Sequence, residues 1–166
     1  MGSGKTSVGR LVADALGCPF FDLDQLIVKE AGKEIPALFA EEGEAGFRKR
    51  EARLLKQMVG KYASGEDLAA VLALGGGAVT GPGAASLLRE KTLCIWLNAS
   101  PEVLAGRLAS EAEGRPLLQG ETGLSERLSA LLAERAPLYE QAAQLVLDTE
   151  GATPEALADE IIISVL

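Results

Sequence analysis

The stretch Gly2-Ser3-Gly4-Lys5-Thr6, followed at once by a helical pattern, constrains this chain more than any other feature. It supplies most of the G-x-x-x-x-G-K-[ST] phosphate-loop pattern. Its glycines let the backbone curl until several N–H groups converge on phosphate oxygens, and the positive end of the following helix strengthens that anion site. Lys5 is placed to reach the terminal phosphates and the Thr6 hydroxyl to bind Mg²⁺. A plain glycine-rich turn before a helix would explain the loop alone. It does not explain the alternating strands and helices and the acidic residues that follow. The loop therefore points to an ATP-dependent kinase.

The first glycine of the pattern falls two places ahead of Met1, as does the strand that should feed the loop. Such a strand is normally central in a parallel sheet. Without it two apolar neighbours would present unpaired edges, which is costly and invites aggregation. The expectation is a misplaced start codon or a truncated chain.

Downstream, Thr6 to Leu16 carries apolar residues at helical spacing and stops at Gly17. Pro19 to Asp22 reads as a short strand; Asp24 to Ala31, Ile35 to Glu41 and Glu44 to Tyr62 read as helices broken at Gly32 and Gly43. Ala69 to Leu74 and Thr92 to Leu97 are apolar runs of the kind buried parallel strands show. Pro82 to Glu90 is helical, and Ser100-Pro101-Glu102 opens a further helix with an N-cap and an early proline. From Glu111 to Gly123 periodicity is lost and three glycines appear, which predicts a mobile lid. Leu124 to Ala142 is helical, Gln144 to Leu147 a last strand and Thr153 to Leu166 a terminal helix. The pattern predicts an α/β fold, one domain over 1–166, with a parallel sheet covered on both faces.

Composition narrows the chemistry. The net charge of −8 over 166 residues, with no concentrated basic block, argues against nucleic acid as a partner. No apolar run is long enough to span a bilayer and no signal peptide is visible, so the expected location is cytoplasmic, with no membrane partner. There is no histidine, so catalysis rests on Asp, Glu, Lys, Arg and hydroxyls. Cys18 and Cys94 read as buried free thiols rather than a disulfide or a metal site. No apolar helix face is left over, which favours a monomer.

Further motifs follow in order. Asp22-Leu23-Asp24 closes the first strand, and Phe47-Arg48-Lys49-Arg50-Glu51 lies on a helix with Arg48 and Glu51 on one face. Gly75-Gly76-Gly77-Ala78-Val79 follows a strand, Arg115-Pro116-Leu117-Leu118 lies in the lid, and Glu134-Arg135-Ala136-Pro137-Leu138-Tyr139 lies on a late helix. In this order and spacing the chain resembles the shikimate kinase family over nearly its full length.

That resemblance implies an adenylate-kinase-like P-loop fold with a five-stranded parallel sheet. It implies transfer of the γ-phosphoryl of MgATP to the 3-hydroxyl of shikimate, in aromatic amino-acid biosynthesis. Carried over by position, Gly2, Ser3, Gly4, Lys5, Thr6, Ser7, Arg107 and Arg115 match nucleotide-binding residues, with Arg107 against adenine and Arg115 closing over the phosphates. Asp24, Arg48, Gly76 and Arg135 match shikimate-binding residues, and Thr6 and Asp22 match the Mg²⁺ site. Lys5, Asp24 and Arg115 would carry catalysis.

The residue chemistry is compatible with this. Two arginines can clamp a carboxylate by charge-assisted hydrogen bonds, and Asp24 can orient an attacking hydroxyl or take its proton. Gly76 offers backbone N–H at close range, and Glu51 serves to orient Arg48. Read singly, Arg48 could be one of several solvated charges, Arg135 a local pairing residue, Asp22 a helix cap and the glycines a tight turn. After Asp148-Thr149 no basic residue follows, so no adenine contact is carried over there. A related kinase, for instance for gluconate, and a truncated nucleotide-binding domain without activity are the alternatives.

Overall fold

Helical periods and short apolar runs alternate in the structure as they do in the sequence. The computed structural model describes residues 2–63, 69–111 and 123–165. Helix α1 (Lys5–Leu16) leads into β1 (Phe20–Asp22), α2 (Leu23–Ala31) and the long α3 (Ile35–Ala63). Then come β2 (Val71–Ala73), one 3-10 turn (Ala78–Thr80), α4 (Ala84–Lys91), β3 (Ile95–Asn98) and α5 (Pro101–Glu111). Helix α6 (Leu124–Ala142), β4 (Leu145–Asp148) and α7 (Pro154–Val165) complete the order. The break expected at Gly43 is a kink inside α3, with φ 68° at that glycine, a conformation that favours a residue without Cβ. Cys18 and Cys94 are free but half-buried rather than buried, and burial still pushes the Cys94 thiol pKa up.

Strands β1 and β2 pair in parallel, Phe20 opposite Val71 through Asp22 opposite Ala73. Strands β3 and β4 also pair in parallel, Ile95 opposite Leu145 through Asn98 opposite Asp148. The two pairs are not hydrogen-bonded to each other, so the described residues give two two-stranded sheets rather than one five-stranded sheet. A cavity of about 430 Å³ lies between β2 and β3, walled by α1 and α7 residues that include Val8, Val12 and Ile161.

The backbone polar groups along that cavity can be assigned. Val71 N–H donates to the Pro19 carbonyl at 2.9 Å, so Val71 faces β1. Successive strand residues turn their polar groups to opposite edges, so Leu72 faces the cavity. On β3 the Cys94 and Asn98 carbonyls accept from Gln144 and Thr149 N–H groups, both at 2.9 Å. Ile95 and Leu97 therefore point their N–H and C=O groups the other way, into the cavity. Unpaired strand edges of this kind are costly when shielded from water.

The core divides across the same line. Leu23, Ile27, Leu38, Phe47, Leu55, Val79 and Leu88 form one buried cluster among α2, α3 and α4. Val8, Val12, Leu147, Leu157 and Ile161 form another, where α1 packs on α7. Gly9 permits close approach of α1 to the first sheet, because a Cβ there would lie 2.8 Å from Phe20 Cε2. Among the described residues no helix is long and apolar enough to cross a membrane.

Candidate active site

Sheet register places the first half of the site. Because Asp22 lies opposite Ala73, Asp24 just past β1 meets Gly75 just past β2. A Cβ at Gly75 would come within 3.0 Å of Asp24 Oδ1 and 3.3 Å of Glu51 Oε1. Helix α3 brings Arg48 to the same place, and a Cβ at Gly77 would overlap its guanidinium. The glycine triplet is thus more than a tight turn: Gly75 and Gly77 leave room for three charged side chains.

Arg48 Nη1 donates to Glu51 Oε2 at 2.6 Å, across one turn of α3. Glu51 is only 2% exposed. Burial raises its pKa, and the Arg48 hydrogen bond and charge oppose that rise. A buried pair of this kind fixes geometry more than it adds stability. Its neighbour Arg50 is committed elsewhere, to Glu42 at 2.5 Å and Glu30 at 3.3 Å. Arg48 is therefore singled out from the adjacent basic residues by where its helix face points. Arg135, on α6, is close enough for its charge to lower the Glu51 pKa. No described carboxylate forms an ion pair with it.

Asp24 has its pKa raised, first by burial and then by the Asp22 charge, with Lys5 and Arg48 pulling it down. Those four residues therefore form one electrostatic unit that joins the acceptor side to the phosphate loop.

On the loop side, Gly2 and Gly4 adopt left-handed φ values of 69° and 83°. Gly4 caps α1 with no side-chain bond to its first-turn N–H groups, which remain directed at the loop. Lys5 Nζ donates to the buried Ser3 hydroxyl at 3.1 Å. Thr6 Oγ1 donates to Asp22 Oδ2 at 3.3 Å, while Asp22 Oδ1 accepts from Asp24 N–H at 3.0 Å. Asp22 is thus both the cap of α2 and a partner of the loop. Ser7 is exposed in the first turn of α1.

Arg107 connects the loop to the second sheet. Its Nη1 donates to Gly2 O at 3.2 Å and Thr149 Oγ1 at 2.9 Å, and its Nη2 to Thr149 O at 2.7 Å. These bonds use the edge of its planar guanidinium. Arg115 and most of the expected lid lie outside the described residues.

Sequence reasoning passed over Gly75, Gly77, Thr149 and Tyr139. Tyr139 donates its hydroxyl to Gly76 O at 2.6 Å. The triplet and the Arg135-to-Tyr139 spacing were visible, but only folding shows which groups touch.

The donor set fits a small hard cation held together with a nucleotide. Mg²⁺ is usually bound by one or two carboxylates plus phosphate oxygens and water. Thr6 and Asp22 supply a hydroxyl and a carboxylate at one point, and no group of three acidic, cysteine or histidine ligands occurs among the described residues.

The profile of the family described as shikimate kinase matches residues 1–166. A shikimate kinase of Symbiobacterium thermophilum is 44% identical over 162 residues, covering 97% of this chain and 89% of that protein. Among solved structures, shikimate kinase from Acinetobacter baumannii in complex with shikimate superposes with a TM-score of 0.86 at 36% identity, covering 99% of this chain and 88% of that one. The Bacteroides thetaiotaomicron shikimate kinase gives a TM-score of 0.87 at 32% identity, covering 99% and 93%. By sequence, site geometry and fold, the chain belongs to the shikimate kinase family.

Proposed function

We propose that this protein transfers the γ-phosphoryl of ATP to the 3-hydroxyl of shikimate, giving shikimate 3-phosphate and ADP. The observation that carries the reading is the convergence of Asp24, Arg48, Glu51 and Gly75–Gly77 beside Lys5 and Asp22. Arg48 and Arg135 would hold the acceptor's carboxylate, and Gly76 would supply backbone N–H. Asp24 would orient the attacking hydroxyl. Its raised pKa suits it to accept that proton as the bond to phosphorus forms.

Phosphoryl transfer proceeds largely by positioning and charge neutralisation. Gly2, Ser3, Gly4, Lys5, Thr6 and Ser7 would hold the nucleotide phosphates, with Arg107 at the base. Arg115 would close over them. Thr6 and Asp22 would hold Mg²⁺, which when bound neutralises phosphate charge. We read residues 1–166 as one kinase domain acting as a cytoplasmic monomer.

A coupled assay with ATP and shikimate tests the proposal, run on the chain as it stands and on a form carrying an apolar strand ahead of Gly2. No turnover in either form rejects it. Turnover of gluconate in place of shikimate would assign the related kinase instead.

A further inference from the structure

Tyr139 stands outside every role assigned above, yet it makes a short polar contact with the acceptor side. Its hydroxyl donates to the Gly76 carbonyl at 2.6 Å, joining residues 63 apart in sequence. Its ring packs against Trp96 of β3, centroids 5.3 Å apart and tilted by 38°. The ring thus packs on the second sheet while its hydroxyl reaches the glycine turn.

Two features make the contact more than a core hydrogen bond. First, Arg135 lies four residues earlier on α6, so it and Tyr139 share one helix face. One helix, with Pro137 between the two residues, therefore carries both a proposed carboxylate clamp and the tether on the glycine turn. Second, the peptide unit is planar and trans, so a carbonyl and the next N–H point in opposite directions. Fixing the Gly76 carbonyl toward α6 fixes the Gly77 N–H away from it. Among the described residues no other hydrogen bond is made to the Gly76 carbonyl or the Gly77 N–H, although Thr80 Oγ1 also donates to the Gly77 carbonyl at 2.7 Å. The turn's remaining backbone bonds run from Ala78 N–H to Gly75 O and from Thr80 N–H to Gly77 O, both at 3.0 Å. Glycine backbone is otherwise free to rotate.

We infer that Tyr139 is a positioning residue for the acceptor: its hydroxyl sets the facing of the Gly76–Gly77 peptide relative to Arg135. The inference rests on the shikimate reading and adds a residue to it. Its hydroxyl is committed to the Gly76 carbonyl, so its effect should fall mainly on acceptor binding.

Tyr139→Phe removes the hydroxyl and keeps the ring on Trp96. The KM for shikimate should rise about five- to tenfold, the scale of one lost hydrogen bond. The KM for ATP should change less than about twofold, and amide exchange at Gly76 and Gly77 should accelerate. Trp96→Phe is the packing control: thermal stability should fall while the shikimate KM holds. An unchanged shikimate KM in Tyr139→Phe overturns the inference, as does an equal rise in both KM values or a matching rise in Trp96→Phe. Wild-type protein inert toward shikimate overturns the acceptor assignment itself, and this inference with it. The two failures are therefore distinguishable.

Discussion

The acceptor side and the phosphate side of this site are built differently. Around Asp24 the walls are dense: Arg48 and Glu51 are bonded to each other, Gly75 and Gly77 leave no spare space, and Tyr139 tethers the turn. Around Lys5 the walls are thinner. The loop is held by Arg107 and Thr149 on one side and Asp22 on the other. The cavity between β2 and β3 reaches Lys5 itself. The acceptor pocket is fixed by side chains on α2, α3 and α6, whereas the phosphate loop depends on the sheet edge beneath it. Packing is thus dense around Asp24 and thinner around Lys5.

Breaking each side should give distinct signatures. The largest effect is expected for Lys5→Ala, which should lower kcat by about a thousandfold or more while the far-ultraviolet circular dichroism spectrum is kept. A modest loss would mean that the loop carries little of the transition-state charge. Next is Arg135→Ala, which should raise the KM for shikimate by roughly thirty- to a hundredfold, as for a lost charge-assisted hydrogen bond. An unchanged KM would remove it from the carboxylate clamp.

Asp24→Asn sharpens the electrostatic contrast. Turnover should drop steeply, yet Tm at neutral pH should rise by about 2–4 °C. The sign follows from the raised pKa of Asp24, whose leading cause is burial. The folded state holds this proton more tightly than the unfolded chain does. The cost to stability is absent well below the ordinary value of 3.8 and grows as pH rises through the window between that value and the raised one. The Tm difference between the two proteins should therefore vanish at acid pH. A variant less stable than wild type at pH 7 would refute the buried-charge account.

The smallest effect is local. Leu72, Ile95 and Leu97 amides should exchange roughly ten- to a hundredfold faster than Val71 and Trp96, although they lie on the same two strands. Equal protection would mean that the cavity edges are paired. An apolar extended segment fused ahead of Gly2 should slow those three amides selectively.

Much of this was readable in the chain. Most element boundaries fall within two residues of the periodicity, and the kink at Gly43 and the stop at Gly17 follow from glycine alone. Asp24, Arg48 and Arg135 stand in short motifs ordered along the sequence, and the structure brings Asp24 and Arg48 to one glycine turn with Arg135 near enough to act on Glu51. The 3-10 turn at Ala78–Thr80 was not legible, since a single turn has no period to detect. Nor were the roles of Gly75 and Gly77, because a close approach depends on what arrives from another element. Nor was the role of Thr149, whose partner Arg107 comes from 42 positions away.

The sequence by itself determined the phosphate loop, the alternation of helix and strand, and a chemistry of Asp, Glu, Lys, Arg and hydroxyls in a chain without histidine. These are local properties, set by residue type and period. Only the tertiary structure decided that Arg48 rather than Arg50 enters the site, that Asp22 both caps α2 and bonds Thr6, and that Tyr139 reaches Gly76. Those choices depend on sheet register and helix facing, which are fixed when distant segments pack.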